Sequence, residues 1–179
     1  MVQQFGNTND REAGLDALGT PEALRDWFAY WTTWSDGSLP TRDEHERALV
    51  VREGIRSMAA PGVIEAPVEF EEMIRGLDLR VVVSDGAFHL QGNDRLSRAL
   101  APLVGGVRSA MDGGRWERPK VCSRDQCQWL YYEPSRDAPS RSCATETCAS
   151  RERAARAGLR RETHPGPRPA PAGSPVTDR

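Results

Sequence analysis

The first 121 residues of this 179-residue chain contain no cysteine, which excludes both disulfide bracing and a thiolate metal centre from two thirds of its length. Nowhere does the sequence approach the roughly 18 consecutive apolar residues that a membrane-spanning helix requires, so no membrane association is expected. Met1 to Thr8 shows no basic stretch followed by an apolar run. With no secretory signal visible, the expected compartment is a reducing cytoplasm. Also missing are a nucleophile–base pair, a glycine-rich phosphate loop and a paired-carboxylate signature. Glu71-Glu72 is most simply a solvated charge pair. An enzyme is not expected.

All the cysteine there is, Cys122, Cys127, Cys143 and Cys148, falls as two C-x4-C pairs separated by fifteen residues. Two paired knuckles can bring four thiolates to the corners of a tetrahedron, the arrangement that suits zinc, a soft ion with no redox chemistry. The alternatives are two disulfides or a set of packed thiols. Neither accounts for the confinement of cysteine to one short segment, and disulfides would need an oxidising compartment. Four thiolates also close the coordination sphere and leave no position for water, so a single zinc ion here would be structural. A module this small has little apolar core, and chelation is expected to unfold residues 120–160 while sparing the rest.

The overall charge of −2 hides a dipolar layout. Residues 1–114 carry a net −7, residues 115–161 a net +5, and residues 162–179 are balanced. The expected organisation is an acidic α+β domain over 1–114, a basic metal module over 115–161 and a tail over 162–179. The tail runs through Pro165, Pro167, Pro169 and Pro171 without apolar periodicity and is expected to be disordered.

Within the acidic part, Thr20-Pro21 reads as an N-cap and first helical residue, followed by Leu24, Trp27, Phe28, Trp31 and Trp34 at helical spacing. Such an aromatic face is core in the simplest reading; a ligand pocket using Trp27, Trp31 and Trp34 is the alternative. Thr41-x-x-Glu44 forms a capping box ahead of Ala48, Val51, Ile55, Met58 and Ala59. His45 and His89 have no partner ligand nearby in sequence and read as structural residues. Asp85-Gly86 between Leu79–Val83 and Ala87–Leu90 predicts a tight β-hairpin. A further helix spans about Asp94 to Met111, with Pro102 and Gly105-Gly106 expected to kink or break it before Gly113-Gly114 closes the domain.

In the basic part, Gln128-Trp129-Leu130-Tyr131-Tyr132 predicts a short strand and Pro134 to Asp137 a turn. A helix is expected after Cys148, with Arg153, Arg156 and Arg160 aligned on one face. Guanidinium forks match phosphate oxygens, so this stripe suits nucleic acid, although a row of charges can also be a plain solvated face.

From Cys122 to Arg156 the sequence resembles the bacterial CGNR-type zinc finger, in which C-x4-C-x-W-x-[FY] leads through a turn to C-x4-C-G-N-R and a basic helix. Cys122, Cys127, Trp129, Tyr131, Glu133, Ser135, Arg136, Cys143, Cys148 and Arg151 match. The naming motif reads Cys148-Ala149-Ser150-Arg151, and Asp137 replaces the usual Asn of the turn. Phe5-Gly6-Asn7-Thr8 and the stretch Gly14-x-Asp16-x-Leu18-x-Thr20-Pro21-Glu22-Ala23-Leu24 resemble the ABATE domain that usually precedes this finger, where F-V-N-T is typical.

Taken together these patterns predict an α+β fold: a mainly helical N-terminal domain with a small β-hairpin, then a small zinc-stabilised ββα-like finger and a disordered tail. The resemblance implies transcription regulation, often stress-linked; Arg136, Arg151, Arg153 and Arg156 fall within the resembling stretch and, with Arg160 of the stripe, are the expected DNA contacts. The N-terminal domain would serve dimerisation or the sensing of a small-molecule effector. Two other classes remain open: a zinc-stabilised protein-interaction module, and a small-molecule sensor without DNA binding.

Overall fold

The computed structural model describes residues 1–34, 36–63, 65–133, 142, 143, 148 and 150. Among them are five α-helices and three two-stranded antiparallel sheets, so the expected α+β class holds. None of these helices is long and apolar enough to cross a membrane.

Local chemistry places the larger helices. The Thr20 hydroxyl accepts a hydrogen bond from the Ala23 amide, and Pro21 opens α2 (Pro21–Trp31). The helix ends three residues short of Trp34. There the β-branched Thr32 departs from helical backbone angles and its hydroxyl donates to the Phe28 carbonyl at 3.1 Å. The complete capping box of Thr41 and Glu44 starts α3 (Arg42–Met58), which buries Ala48, Val51 and Ile55 as its apolar stripe requires. Against it packs a helix not foreseen from the sequence, α4 (Val68–Arg75), through Phe70 and Met73. The contact is close: a Cβ on Gly54 would meet Phe70 Cδ2 at 2.1 Å.

The predicted hairpin is β3 (Leu79–Ser84) paired with β4 (Ala87–Gly92), joined by Asp85-Gly86 with both residues at positive φ, 52° and 75°. α5 (Arg95–Asp112) follows, capped by Asp94 on the Ser97 amide. It runs through Pro102 without a break. Pro102 is exposed, so the hydrogen bond it cannot make is lost on the wet side of the helix. Gly106 meanwhile admits α1 (Val2–Gly6), since a Cβ there would lie 3.1 Å from Val2 Cγ2. Leu96, Leu100, Leu103 and Val107 of α5 join Phe5, Leu18, Leu24, Phe28, Val51 and Ile55 in one core.

Gly92 is the tightest point of that packing. A Cβ there would approach Arg98 N and Ser97 C to 2.1 Å, and backbone atoms cannot swing aside. Gly92→Ala is therefore expected to cost about 3 kcal/mol in urea unfolding. Gly105→Ala, with nothing within 4 Å of the added carbon, should instead stabilise the helix by roughly 0.5–1 kcal/mol.

Two small sheets complete the structure. β1 (Asn9–Asp10) pairs with β2 (Leu15–Asp16), and β5 (Pro119–Val121) pairs with β6 (Leu130–Tyr132) in the register Val121↔Leu130. The chain divides into a compact unit Met1–Cys143 and a second unit Ala144–Arg179. The first thus extends past Gly113-Gly114, where the charge shift suggested a boundary, and includes the strands of the first knuckle. Packing explains the difference: the Val121 amide donates to the Ala59 carbonyl at 3.1 Å, and Leu130 belongs to the main core. Of the second unit, Cys148 and Ser150 are described. The helix expected after Cys148 and the tail over 162–179 lie outside the described residues.

Candidate metal centre

The first knuckle is built by the β5–β6 hairpin. Its register sets the Cys122 amide on the Trp129 carbonyl at 2.9 Å, and the chain then reverses through Arg124, whose carbonyl accepts from the amides of Cys127 and Gln128. Gln128 takes a positive φ of 47° to complete the reversal. Cys122 and Cys127 are thereby held on one side of a tight turn.

The ligand atoms of Cys122, Cys127, Cys143 and Cys148 all lie within 4.8 Å of one another, and all four residues are buried. None is disulfide-bonded, and the Cys127 and Cys143 sulfurs stand 3.5 Å apart. Zinc–sulfur bonds of about 2.3 Å in a tetrahedron place neighbouring sulfurs about 3.8 Å apart, so the cluster is close to the size the ion demands. Buried thiolates repel one another unless a cation sits among them. The donor set fits zinc, and the four cysteines are positioned to bind one structural ion, with the sphere closed to water. Zinc bound here supplies a rigid cross-link between chain segments.

The knuckle is also gripped from the N-terminal side. Leu130 pairs with Val121 such that its own amide and carbonyl point away from β5, and both are taken by Asn7: Nδ2 donates to the Leu130 carbonyl and the Leu130 amide donates to Oδ1, each at 2.7 Å. Gln3 Nε2 adds a donor to the same carbonyl at 3.2 Å. The Asn7 amide thus imitates a neighbouring strand. Gly6 permits the approach, because a Cβ on it would come within 2.8 Å of Leu130 Cδ2. Asn7→Ala takes the acceptor from the part-buried Leu130 amide and leaves its carbonyl to the Gln3 donor, and is expected to cost about 1–3 kcal/mol. Urea denaturation measures that loss, and zinc should pass faster to a chromogenic chelator.

Two arginines on α3 brace the N-terminal segment that carries Asn7. Arg52, 3% exposed, donates from Nη1 and Nη2 to the two Asp16 carboxylate oxygens at 2.6 and 2.9 Å, from Nε to Glu53, and from Nη1 to Thr8 Oγ1. Arg56, 2% exposed, donates from Nη2 to the carbonyls of Gly6 and Asn9. Burial alone would raise the Asp16 carboxyl, but hydrogen bonds from Arg52 and the Leu18 amide, with the charges of Arg52 and His45, hold it below its usual value. Sequence reading missed both arginines. The available signal was their position four residues apart beside Val51 and Ile55, on the buried edge of the stripe.

The tryptophans separate. Trp34 is buried, stacks on Phe28 with centroids 5.8 Å apart, carries the Arg95 guanidinium on its face and donates from Nε1 to the Ser38 carbonyl. Trp27 is half-buried against Phe5, while Trp31 stacks on Trp27 and is 40% exposed. Trp34 is thus committed to the core and does not share a surface with the other two. His45 Nε2 bonds the Leu18 carbonyl at 2.6 Å and His89 Nε2 the Ser84 carbonyl at 3.3 Å, structural partners in both cases. Arg136, Arg151, Arg153, Arg156 and Arg160 lie outside the described residues.

Residues 118–161 match the family model of the CGNR zinc finger. The match begins one residue before β5 and contains all four cysteines. No curated protein matches the chain.

Proposed function

We propose that this zinc-finger chain is a cytoplasmic, zinc-dependent transcription regulator that binds DNA through its C-terminal finger, while the N-terminal part handles dimerisation or a signal. The observation that carries this reading is the buried four-thiolate cluster inside the interval that matches the CGNR finger. Zinc would fold the segment, and the net +5 of residues 115–161 would direct it to a polyanion. Arg136, Arg151, Arg153, Arg156 and Arg160 are the proposed contacts, each guanidinium neutralising a phosphate and releasing counterions. The ABATE resemblance of Phe5 to Leu24 supports the regulatory role of the remainder. Catalysis is not part of the proposal, since four thiolates leave the metal no position for a substrate or water.

Salt dependence tests it. The zinc-loaded chain should bind random duplex DNA at about 50 mM salt and lose roughly 500-fold in affinity by about 200 mM, the signature of about five phosphate contacts. Replacing Arg151 and Arg156 by Ala together should reduce the slope by about two. No binding at about 50 mM salt would sink the DNA reading and favour a protein-interaction module with an acidic partner.

A further inference from the structure

A cleft of about 960 Å³ opens beside α3, walled by α4, the β1–β2 hairpin and the first knuckle, a size that accommodates a small organic molecule. Leu49, Val50, Phe70 and Val121 make its walls largely apolar, and Arg52, Arg56 and Cys122 also line it. The buried guanidinium donors inside are not all matched by acceptors among the described residues. Glu53 engages Arg11 and Arg52 in hydrogen-bonded pairs, and Arg52 also holds Asp16, which is not a lining residue. Arg56 Nε comes only within 3.8 Å of Glu53. The other lining carboxylates, Glu46, Glu69 and Asp125, are exposed to solvent and screened by it.

Arg56 is the conspicuous group. Its Nε and Nη1 are buried with no hydrogen-bond acceptor among the described residues, while Nη2 is spent on the Gly6 and Asn9 carbonyls. Buried cationic donors without acceptors are rare and costly, and they mark places where an oxygen-bearing group belongs. Two buried guanidinium donors without acceptors at an apolar cleft suit an anionic oxygen group carried on an apolar body.

We propose that this cleft binds an organic carboxylate, its carboxylate held by Arg56 and its apolar part by the Phe70 and Val121 walls, and that occupancy is passed to the first zinc knuckle. Two connections would carry the signal. Cys122 shares the lining, and Arg56 grips the carbonyls of Gly6 and Asn9, on either side of the Asn7 that clasps Leu130. The purpose of such a signal rests on the regulator reading; the binding does not.

The experiment is calorimetric titration of the zinc-loaded full chain with octanoate, benzoate, phenylacetate and indole-3-acetate, alongside their amides and inorganic phosphate. At least one carboxylate should saturate at one equivalent and bind at least about tenfold more tightly than its amide, because the amide cannot form the charge-assisted pair. Phosphate, lacking an apolar body, should bind more weakly. Arg56→Gln should abolish binding. Should that variant misfold, Val50→Glu decides: Val50 is an exposed lining residue, so the protein should unfold at the same temperature and keep its zinc, yet bind the acid at least about tenfold less well. In 15N spectra the saturating ligand should move the Leu130 amide. Failure of every carboxylate to saturate, an amide or phosphate binding as tightly, or full affinity in Val50→Glu overturns the site; an unmoved Leu130 amide overturns its link to the knuckle. No DNA enters these measurements, so the regulator reading and the carboxylate site fail separately.

Discussion

Stripping zinc from the intact chain with a strong chelator should release Cys143 and Cys148 to protease while leaving the helical core folded. Structural four-ligand sites supply on the order of 10 kcal/mol toward folding of the segment they hold, and the four buried sulfurs are the cross-link in question. The first knuckle has other support, however. Asn7 holds Leu130 from one side, the Val121 amide reaches the Ala59 carbonyl, and Leu130 is packed in the core. The expected pattern is graded: cleavage concentrated between Cys127 and Cys148, protection retained at β6, and far-UV circular dichroism reduced only slightly. Cys143→Ala should reproduce it in the presence of zinc. Unchanged proteolysis of that segment in verified metal-free protein would falsify the structural role of the ion.

The second large effect is expected from Arg52→Ala. The side chain is 3% exposed and holds Asp16, Glu53 and Thr8 at once. Removing one member of a buried charge pair leaves the other uncompensated and typically costs about 3–5 kcal/mol; since Asp16 keeps some contact with water, the lower end, about 3 kcal/mol, is expected. Arg52→Lys should recover little, because an ammonium cannot span both oxygens of Asp16. The pH dependence has a definite sign. A carboxyl held below its ordinary value stabilises the fold fully above the unfolded pKa, about 4, and that contribution disappears as pH falls through the lower folded value. Urea unfolding of the wild type should therefore weaken below about pH 4, and Arg52→Ala should show a shallower acid dependence.

What could be foreseen depended on the range of the interaction responsible. Thr20-Pro21, the Thr41–Glu44 box, Asp85-Gly86 and the paired cysteines act over a few residues or through fixed covalent chemistry, and each stands in the structure where the sequence suggested. α1, α4 and the strands β1, β2 and β5 are too short to declare themselves by periodicity and owe their form to distant neighbours. Arg52 and Arg56 find their partners among Gly6, Thr8, Asn9 and Asp16, 36 to 50 positions away, and give no local signal of them. Trp34 kept the helical spacing of Trp31 but reached the core from a loop, because Thr32 had already ended the helix. Pro102 was tolerated because its side of α5 is wet. The metal site itself was legible; its clasp by Asn7, spanning 123 positions, was not.

That span has a consequence for biogenesis. On a ribosome, α1 emerges long before β6 exists, so Asn7 must wait through most of translation for the strand it completes, and closing so long a loop is slow relative to local helix formation. Metal capture by the first knuckle and the grip of Asn7 on it are thus late steps of maturation, reached only by chains synthesised past Leu130. Truncated products would carry a helical body in which Asn7 has no strand to clasp and the core lacks Leu130.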